Sequence, residues 1–337
     1  MSGADPELGP FLDAVRKLLQ DHVTPGRSLD GDALPGLRRA LDDADITGLA
    51  FETAGMDDAL RWLSAVVTEV AKASPSLAYV LSARYTAHRA VLNHTGRPDG
   101  GAEATSALVD PAPGVASEDG AGAEATVPAL FDPSTVLTLD ASDGSGVLAS
   151  HGSVTDLGDA PARTGLADAG LRLVRVSGPA VQRLDVAHAA AALRDWHILT
   201  TSVSTGIADA ALSAAETYAT DRRQFGARLT SFAGLRAILA EMRVRLSAAT
   251  ALLDQALAAD DDAVTPAVAS ATAGRAAVDI ACHAIQVHGG YGYIEEYPVA
   301  RLLRDAISVR ARGGSRRGLL ARVAEDRLGP PEQVTGR

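Results

Sequence analysis

The sequence predicts an α+β chain that is mostly α, in three parts: an N-terminal helical domain over residues 1–95, a small, reduced central β domain over 96–186, and a C-terminal four-helix bundle over 187–337. Three observations lead there. In the first part apolar residues recur at helical spacing, as Phe11, Val15, Leu18 and Leu19, then Leu60, Leu63 and Val67. The middle part changes to clusters of Gly, Ala, Pro, Asp and Ser around short apolar runs, such as VLTL at Val136 to Leu139 and LRLVRV at Leu171 to Val176. Helical spacing returns after Ala187, most clearly at Leu235, Leu239, Met242, Leu246, Ala249 and Leu253, which step by four and three along one stripe.

Each element follows from local chemistry. The four leucines of that stripe would contribute roughly 6 to 12 kcal/mol if fully buried, before chain entropy, which makes packing against further helices the expected fate of the stripe. Thr265 followed by Pro266 has the pattern of an N-cap and first helical residue, opening a helix that runs to about His288 and stops at Gly289 and Gly290. Pro298 starts another, with Val299, Leu302, Leu303 and Ala306 on one face and an end near Gly313 and Gly314. Ser315 caps a last helix through Leu319, Leu320 and Val323.

Charge and composition bound the function. Against 42 acidic residues stand 31 basic ones, a net charge of −11, which disfavours nucleic-acid and anionic-membrane surfaces. Cys282 is the only cysteine, so no intrachain disulfide can form, and its apolar helical neighbours suggest a core position. No signal-like N-terminus and no long apolar run occur, so a cytoplasmic protein is expected. No metal site is expected either.

Two segments carry more than architecture: YATDRRQFG, Tyr218 to Gly226, and QVHGGYGYIEEYPVARLLRDA, Gln286 to Ala306. In order and spacing they resemble the C-terminal helical domain of acyl-CoA dehydrogenases, flavoenzymes that oxidise the α,β bond of acyl-CoA thioesters. The resemblance is strong over about 187–322, weaker over the first helices and poor in the middle. It implies that Arg222, Gln224 and Phe225, with Gln286, Gly289 and Gly290, reach across a subunit interface to the ADP half of a neighbour's FAD. The residue types suit that task, because a guanidinium forks onto pyrophosphate oxygens and glycines admit close backbone approach.

The same resemblance exposes what is missing. The family's catalytic glutamate, which abstracts the substrate α-proton, would fall on Gly313, and a minority position on an earlier helix would fall on Trp196, with His197 beside it. A shift of one residue would offer Asp195 instead, about 100° around the helix. His197 could serve as a base by its ordinary pKa, although packing is the plainer role. The flavin-ring motif of the family, resembling TEP-x-AGSD, has its nearest match in ALVDPAPG, Ala107 to Gly114, and the tryptophan segment that follows it is absent: Trp62 and Trp196 are the chain's only tryptophans. Ser117 to Thr126 reads as flexible loop.

Between Asp305 and Glu325 there is no carboxylate, and five arginines stand there: Arg310, Arg312, Arg316, Arg317 and Arg322. That basic loop sits where the family keeps its glutamate. The resemblance thus implies the short non-catalytic subunit of a heteromeric, α2β2 acyl-CoA dehydrogenase, completing a catalytic partner's FAD site. The substrate would be a bulky acyl-CoA, including a steroid side-chain CoA thioester. Two alternatives stay open: a flavin-dependent oxygenase or oxidase on the same fold, and a non-enzymatic scaffold.

Overall fold

A computed structural model describes residues 5–24, 29, 34–96, 106–108, 123–128, 136–139, 146–149, 153–160, 164–177, 181–259, 262–312 and 316–329. The first helices are α1 (Leu8–His22), α2 (Leu34–Asp43), the single turn α3 (Leu49–Glu52), α4 (Ala59–Ala73) and α5 (Pro75–Thr95). The α4–α5 junction is set by Ser74, whose side chain accepts the Leu77 N–H, and by Pro75 at the first helical position. Gly96 closes α5 in the left-handed conformation, φ 65°.

Among the described residues seven strands follow: β1 (Ser106–Leu108), β2 (Ala123–Pro128), β3 (Val136–Leu139), β4 (Gly146–Ala149), β5 (Val154–Asp159), β6 (Leu171–Val176) and β7 (Val181–Leu184). They form two sheets, ordered β1-β3-β4-β7 and β2-β6-β5. VLTL and LRLVRV are strands with the expected bounds, β3 and β6. The segment expected to be loop is partly strand, since Ala123 to Thr126 lie in β2 and pair with β6 from Val176 to Leu173. Val127 packs with Val136, Val174 and Val176 in a small core of its own. Residues 117–122 lie outside the described set.

The second helical part begins with α6 (Val186–Asp221), capped by Asp185, whose carboxylate accepts the His188 N–H. A two-strand hairpin follows, β8 (Arg223–Gln224) and β9 (Ala227–Arg228), then α7 (Ala233–Ala258), α8 (Val264–His288), α9 (Val299–Arg312) and α10 (Arg316–Leu328). Helix α6 packs against α4, α5, α7, α8 and α9 and carries the centre of the main core. Across the α4–α6 seam the hydroxyls of Ser64 and Ser202 hydrogen-bond at 2.8 Å.

Three expectations change. Along the α7 stripe Met242, Leu246, Ala249 and Leu253 are buried, but Leu235 and Leu239 are only half-covered, so the leucines contribute less than full burial would give. Helix α8 starts ahead of Thr265 because Asp262 caps it, accepting the Val264 N–H at 2.7 Å and the Thr265 hydroxyl. Cys282 is exposed: it lies with Arg275 and Gln286 on the outer side of α8, while Ala277, Ile280, Ala281 and Ala284 face inward. Among the described residues no helix is long and apolar enough to cross a membrane.

Candidate functional site

The two motifs meet in space. Helix α6 ends at Asp221, and the chain turns at Arg222, whose guanidinium lies 5.1 Å from the centre of the Tyr291 ring. Behind it Tyr218 stacks on His288 with ring centres 4.3 Å apart, and Tyr297 closes edge-on against both, at 5.7 and 5.3 Å. This aromatic cluster ties the end of α6 to the end of α8 and the start of α9. Sequence reasoning gave it no role, although its signal was present: every member falls inside or beside one of the two motifs.

Beyond Arg222 the hairpin projects outward. Arg223 pairs with Arg228 and Gln224 with Ala227, and the two central residues both have positive φ, Phe225 at 51° and Gly226 at 77°. That is the type I′ geometry which matches strand twist. Phe225 is 93% exposed and touches Phe232 edge-on at 6.3 Å. A large apolar side chain in a left-handed conformation, offered to solvent, is an unusual use of a phenylalanine. Gln224 is exposed as well.

On the second motif Gln286 is exposed in the last turn of α8, and Gly289 ends that helix with φ 61°. No atom lies within 4 Å of where a Cβ would stand on Gly289 or Gly290, so both present open backbone. The six nucleotide-facing candidates of the sequence therefore lie at one end of the bundle, and five of them are exposed, with Arg222 half-buried. The cluster and Arg222 border a cavity of about 560 Å³ with Asp221 at its rim.

The candidate base positions have the opposite character. Trp196 is fully buried and meets Tyr79 edge-on at 5.6 Å. His197 is 1% exposed, and its Nε2 makes no hydrogen bond. Burial, with the Arg322 charge adding to it, pushes its pKa down to about 3, so it stays neutral near pH 7 and is a poor proton acceptor there. Asp195 is 2% exposed and holds Arg89 of α5 at 2.7 Å, with Arg194 at 3.7 Å. Its carboxylate is a cross-bridge between α5 and α6. Gly313 lies outside the described residues, as do Gly314, Ser315 and residues 109–114 of the ALVDPAPG stretch.

The basic stretch around that position divides. Arg316 and Arg317 are exposed at the start of α10, whereas Arg312 at the end of α9 is only 8% exposed. Arg322 is half-buried, and its Nε makes no hydrogen bond. Two of the five arginines are thus drawn toward the interior, and the charge of one, Arg322, acts on the sealed His197.

Comparison with known proteins agrees with this anatomy. Residues 187–328 match the family model described as acyl-CoA dehydrogenase, C-terminal domain. The chain is 36% identical over 131 residues to 3-sulfinopropanoyl-CoA desulfinase of Paraburkholderia xenovorans, covering 38% of this chain and 34% of that protein. It is 43% identical over 105 residues to the short-chain-specific acyl-CoA dehydrogenase of Megasphaera elsdenii, covering 30% and 27%. These alignments span about a third of the relatives' length or less. The fold is similar over nearly the whole chain to butyryl-CoA dehydrogenase from Megasphaera elsdenii, with a TM-score of 0.78 at 20% identity over 97% of this chain and 100% of that one. It is also similar to a steroid ACAD variant, with a TM-score of 0.74 at 20% identity over 95% and 97%. Residues 187–328 are thus an acyl-CoA dehydrogenase C-terminal domain by sequence, and the fold of the chain as a whole is similar to that of acyl-CoA dehydrogenases.

Proposed function

We propose that this chain is a non-catalytic subunit of a flavin-dependent acyl-CoA dehydrogenase, working beside a catalytic partner in an α2β2 assembly. The observation that carries the reading is the contrast within one helical domain: residues suited to a dinucleotide face outward at one end, while Asp195, Trp196 and His197, the α6 positions for a base, are sealed in the core. Arg222, Gln224 and Gln286 supply a guanidinium and two amides, and Gly289 and Gly290 leave room for close backbone approach. That set fits the ADP half of FAD held by the partner. When bound there, FAD supplies the hydride acceptor for α,β-dehydrogenation.

This chain's own residues bind and orient; they do not move the substrate proton. Phe225 packs against the partner, and Arg222, steadied by Tyr291, places its charge at the pyrophosphate. The substrate is a bulky acyl-CoA, and a steroid side-chain CoA thioester is the class we favour, supported by the similarity in fold to the steroid ACAD. The test is co-expression with an acyl-CoA dehydrogenase-like neighbour gene, followed by copurification, flavin absorbance and acyl-CoA oxidation with an artificial electron acceptor. A complex that holds one FAD per heterodimer is the expected result. Stoichiometric FAD and acyl-CoA oxidation by this chain alone would overturn the reading.

A further inference from the structure

Away from the aromatic end, where α6, α8, α9 and α10 meet, lies a small cavity of about 20 Å³, room for little more than one oxygen-sized atom. It shares no residue with the cavity beside the aromatic cluster. Ser204 of α6 and Ser270 of α8 line it, and they are 4% and 9% exposed. Among the described residues neither hydroxyl makes a hydrogen bond, yet each keeps some accessible surface. The neighbouring hydroxyls of α6 behave differently: Thr200, Thr201, Ser202 and Thr205 donate to carbonyls one turn back. A buried hydroxyl that lacks such a bond is costly and calls for a partner.

The wall around these serines is positive. Arg275, Arg310 and Arg316 line the cavity, and no carboxylate does. Arg275 is matched by Asp279 one turn on, at 2.8 Å. Among the described residues Arg310 and Arg316 form no hydrogen bond or ion pair. Both are exposed, so they stand at the open side while the serines stand inside. Close packing fixes Arg310 there, because a Cβ on Gly274 would come 3.3 Å from its Cγ: the stem of the arginine crosses α8 where there is no side chain. The two belong to the carboxylate-free stretch after Asp305, to which the proposed subunit role gives no task.

The donors decide what would fill the site. A water would serve the serines but answer none of the charge, and a metal cation meets the wrong sign of wall. A monatomic anion that enters to the serines has no second atom for the mouth. A phosphate group offers one oxygen to the hydroxyls and further oxygens to guanidinium forks, and carries up to two charges.

We propose that this cavity is the inner half of a phosphate-binding site: one oxygen enters and accepts from the Ser204 and Ser270 hydroxyls, and Arg310 and Arg316 fork onto the outer oxygens. The phosphate is the free inorganic ion or the end of a phosphate monoester. Its binding ties α9 and α10 to α6 and α8, and it depends neither on a catalytic partner nor on FAD.

The test is calorimetric titration of the full chain with sodium phosphate and with methyl phosphate at fixed ionic strength, with sodium chloride and sodium acetate as controls. Saturable uptake of phosphate and none of either control is expected. Uptake of methyl phosphate as well assigns the site to the end of a larger molecule, and its absence assigns it to the free ion. Arg316→Gln should weaken uptake about 10- to 100-fold, the loss of a charge-assisted contact. Arg317→Gln, at an exposed neighbour that does not line the cavity, should bind as the unsubstituted chain does. Ser204→Ala should weaken uptake about 2- to 10-fold, with no fall in melting temperature in phosphate-free buffer, since the hydroxyl it removes bonds nothing there. An equal response to chloride, no saturable uptake of phosphate, full affinity in Ser204→Ala, or equal losses in Arg316→Gln and Arg317→Gln would each overturn the proposal.

Discussion

Residues 195–208 and residues 213–221 lie on the same uninterrupted helix, yet every residue of the first stretch is buried, while the second alternates between exposed and covered positions. The first stretch is enclosed by neighbouring helices, and its polar groups are spent internally: Asp195 on Arg89, and Thr200, Thr201, Ser202 and Thr205 on carbonyls one turn back. The second keeps only the aromatic cluster behind it and leads into an exposed hairpin. A helix that is open at one end and only packs at the other offers a surface at the first and a core at the second, so substitutions should separate the two ends by kind of effect.

The largest effect belongs to the sealed end. Trp196→Ala removes a fully buried indole and its edge-on contact with Tyr79, and should cost about 3–5 kcal/mol of stability in a urea melt. In the assembled complex at a temperature where the variant is folded, turnover should match the unsubstituted complex. A fall in turnover per folded complex would break the comparison, because it would give Trp196 a part in the chemistry.

At the open end the effect should be on the cofactor. Arg222→Ala removes a half-buried guanidinium with one ring contact, and should leave the stability of the isolated chain within about 0.5 kcal/mol. In the complex, flavin affinity should fall about 10- to 100-fold, as expected for one charge-assisted contact. Fluorescence titration of released FAD measures it. Unchanged affinity would sever this end of α6 from the nucleotide.

Asp305 lies at the seam between the two ends and makes a pH prediction. Its carboxyl rises to about 6 from the ordinary 3.8, chiefly through burial. A carboxyl raised on folding favours the folded chain when protonated. That contribution is complete below about pH 4 and lost as pH rises through 6. The shift corresponds to roughly 1–3 kcal/mol. Asp305→Asn should therefore stabilise the chain by that order near pH 7.5, with the gain shrinking toward pH 4. A pH-independent difference between the two urea-melt series would refute the buried-acid account.

What the sequence could and could not disclose follows the range of the interactions. The α7 stripe and the helix stop at Gly289 are local patterns, and local patterns are readable. The exposure of Cys282 is not legible because α8 is rich in alanine, so small apolar residues stand on its outer side as well as its inner side and the stripe loses contrast. At the start of α8 the Thr265-Pro266 pair is a stronger local signal than the Asp262 that supplies the bonds. Asp305 and Leu166 are 139 residues apart, and the inward turn of Arg312 depends on tertiary packing. No spacing rule reaches that far. At the site, the motifs named the outward residues, whereas the aromatic cluster that holds them became visible only when α6, α8 and α9 were brought together.

The smallest effect is the sharpest test of what the open end is for. Phe225 occupies a left-handed backbone position that costs a non-glycine residue about 1–2 kcal/mol, and it gains little in return because its ring is almost fully in solvent. Asparagine tolerates that conformation and is favoured in type I′ turns, so Phe225→Asn should stabilise the isolated chain by about 0.5–1 kcal/mol in a thermal melt. If the ring packs against the partner, the same substitution should weaken assembly, seen as reduced copurification at matched expression. Gain in one measurement and loss in the other is the expected pairing. A stabilised chain that assembles as before would mean that the strain at Phe225 is not repaid at the interface, and that the outward face of this helical domain has a different purpose.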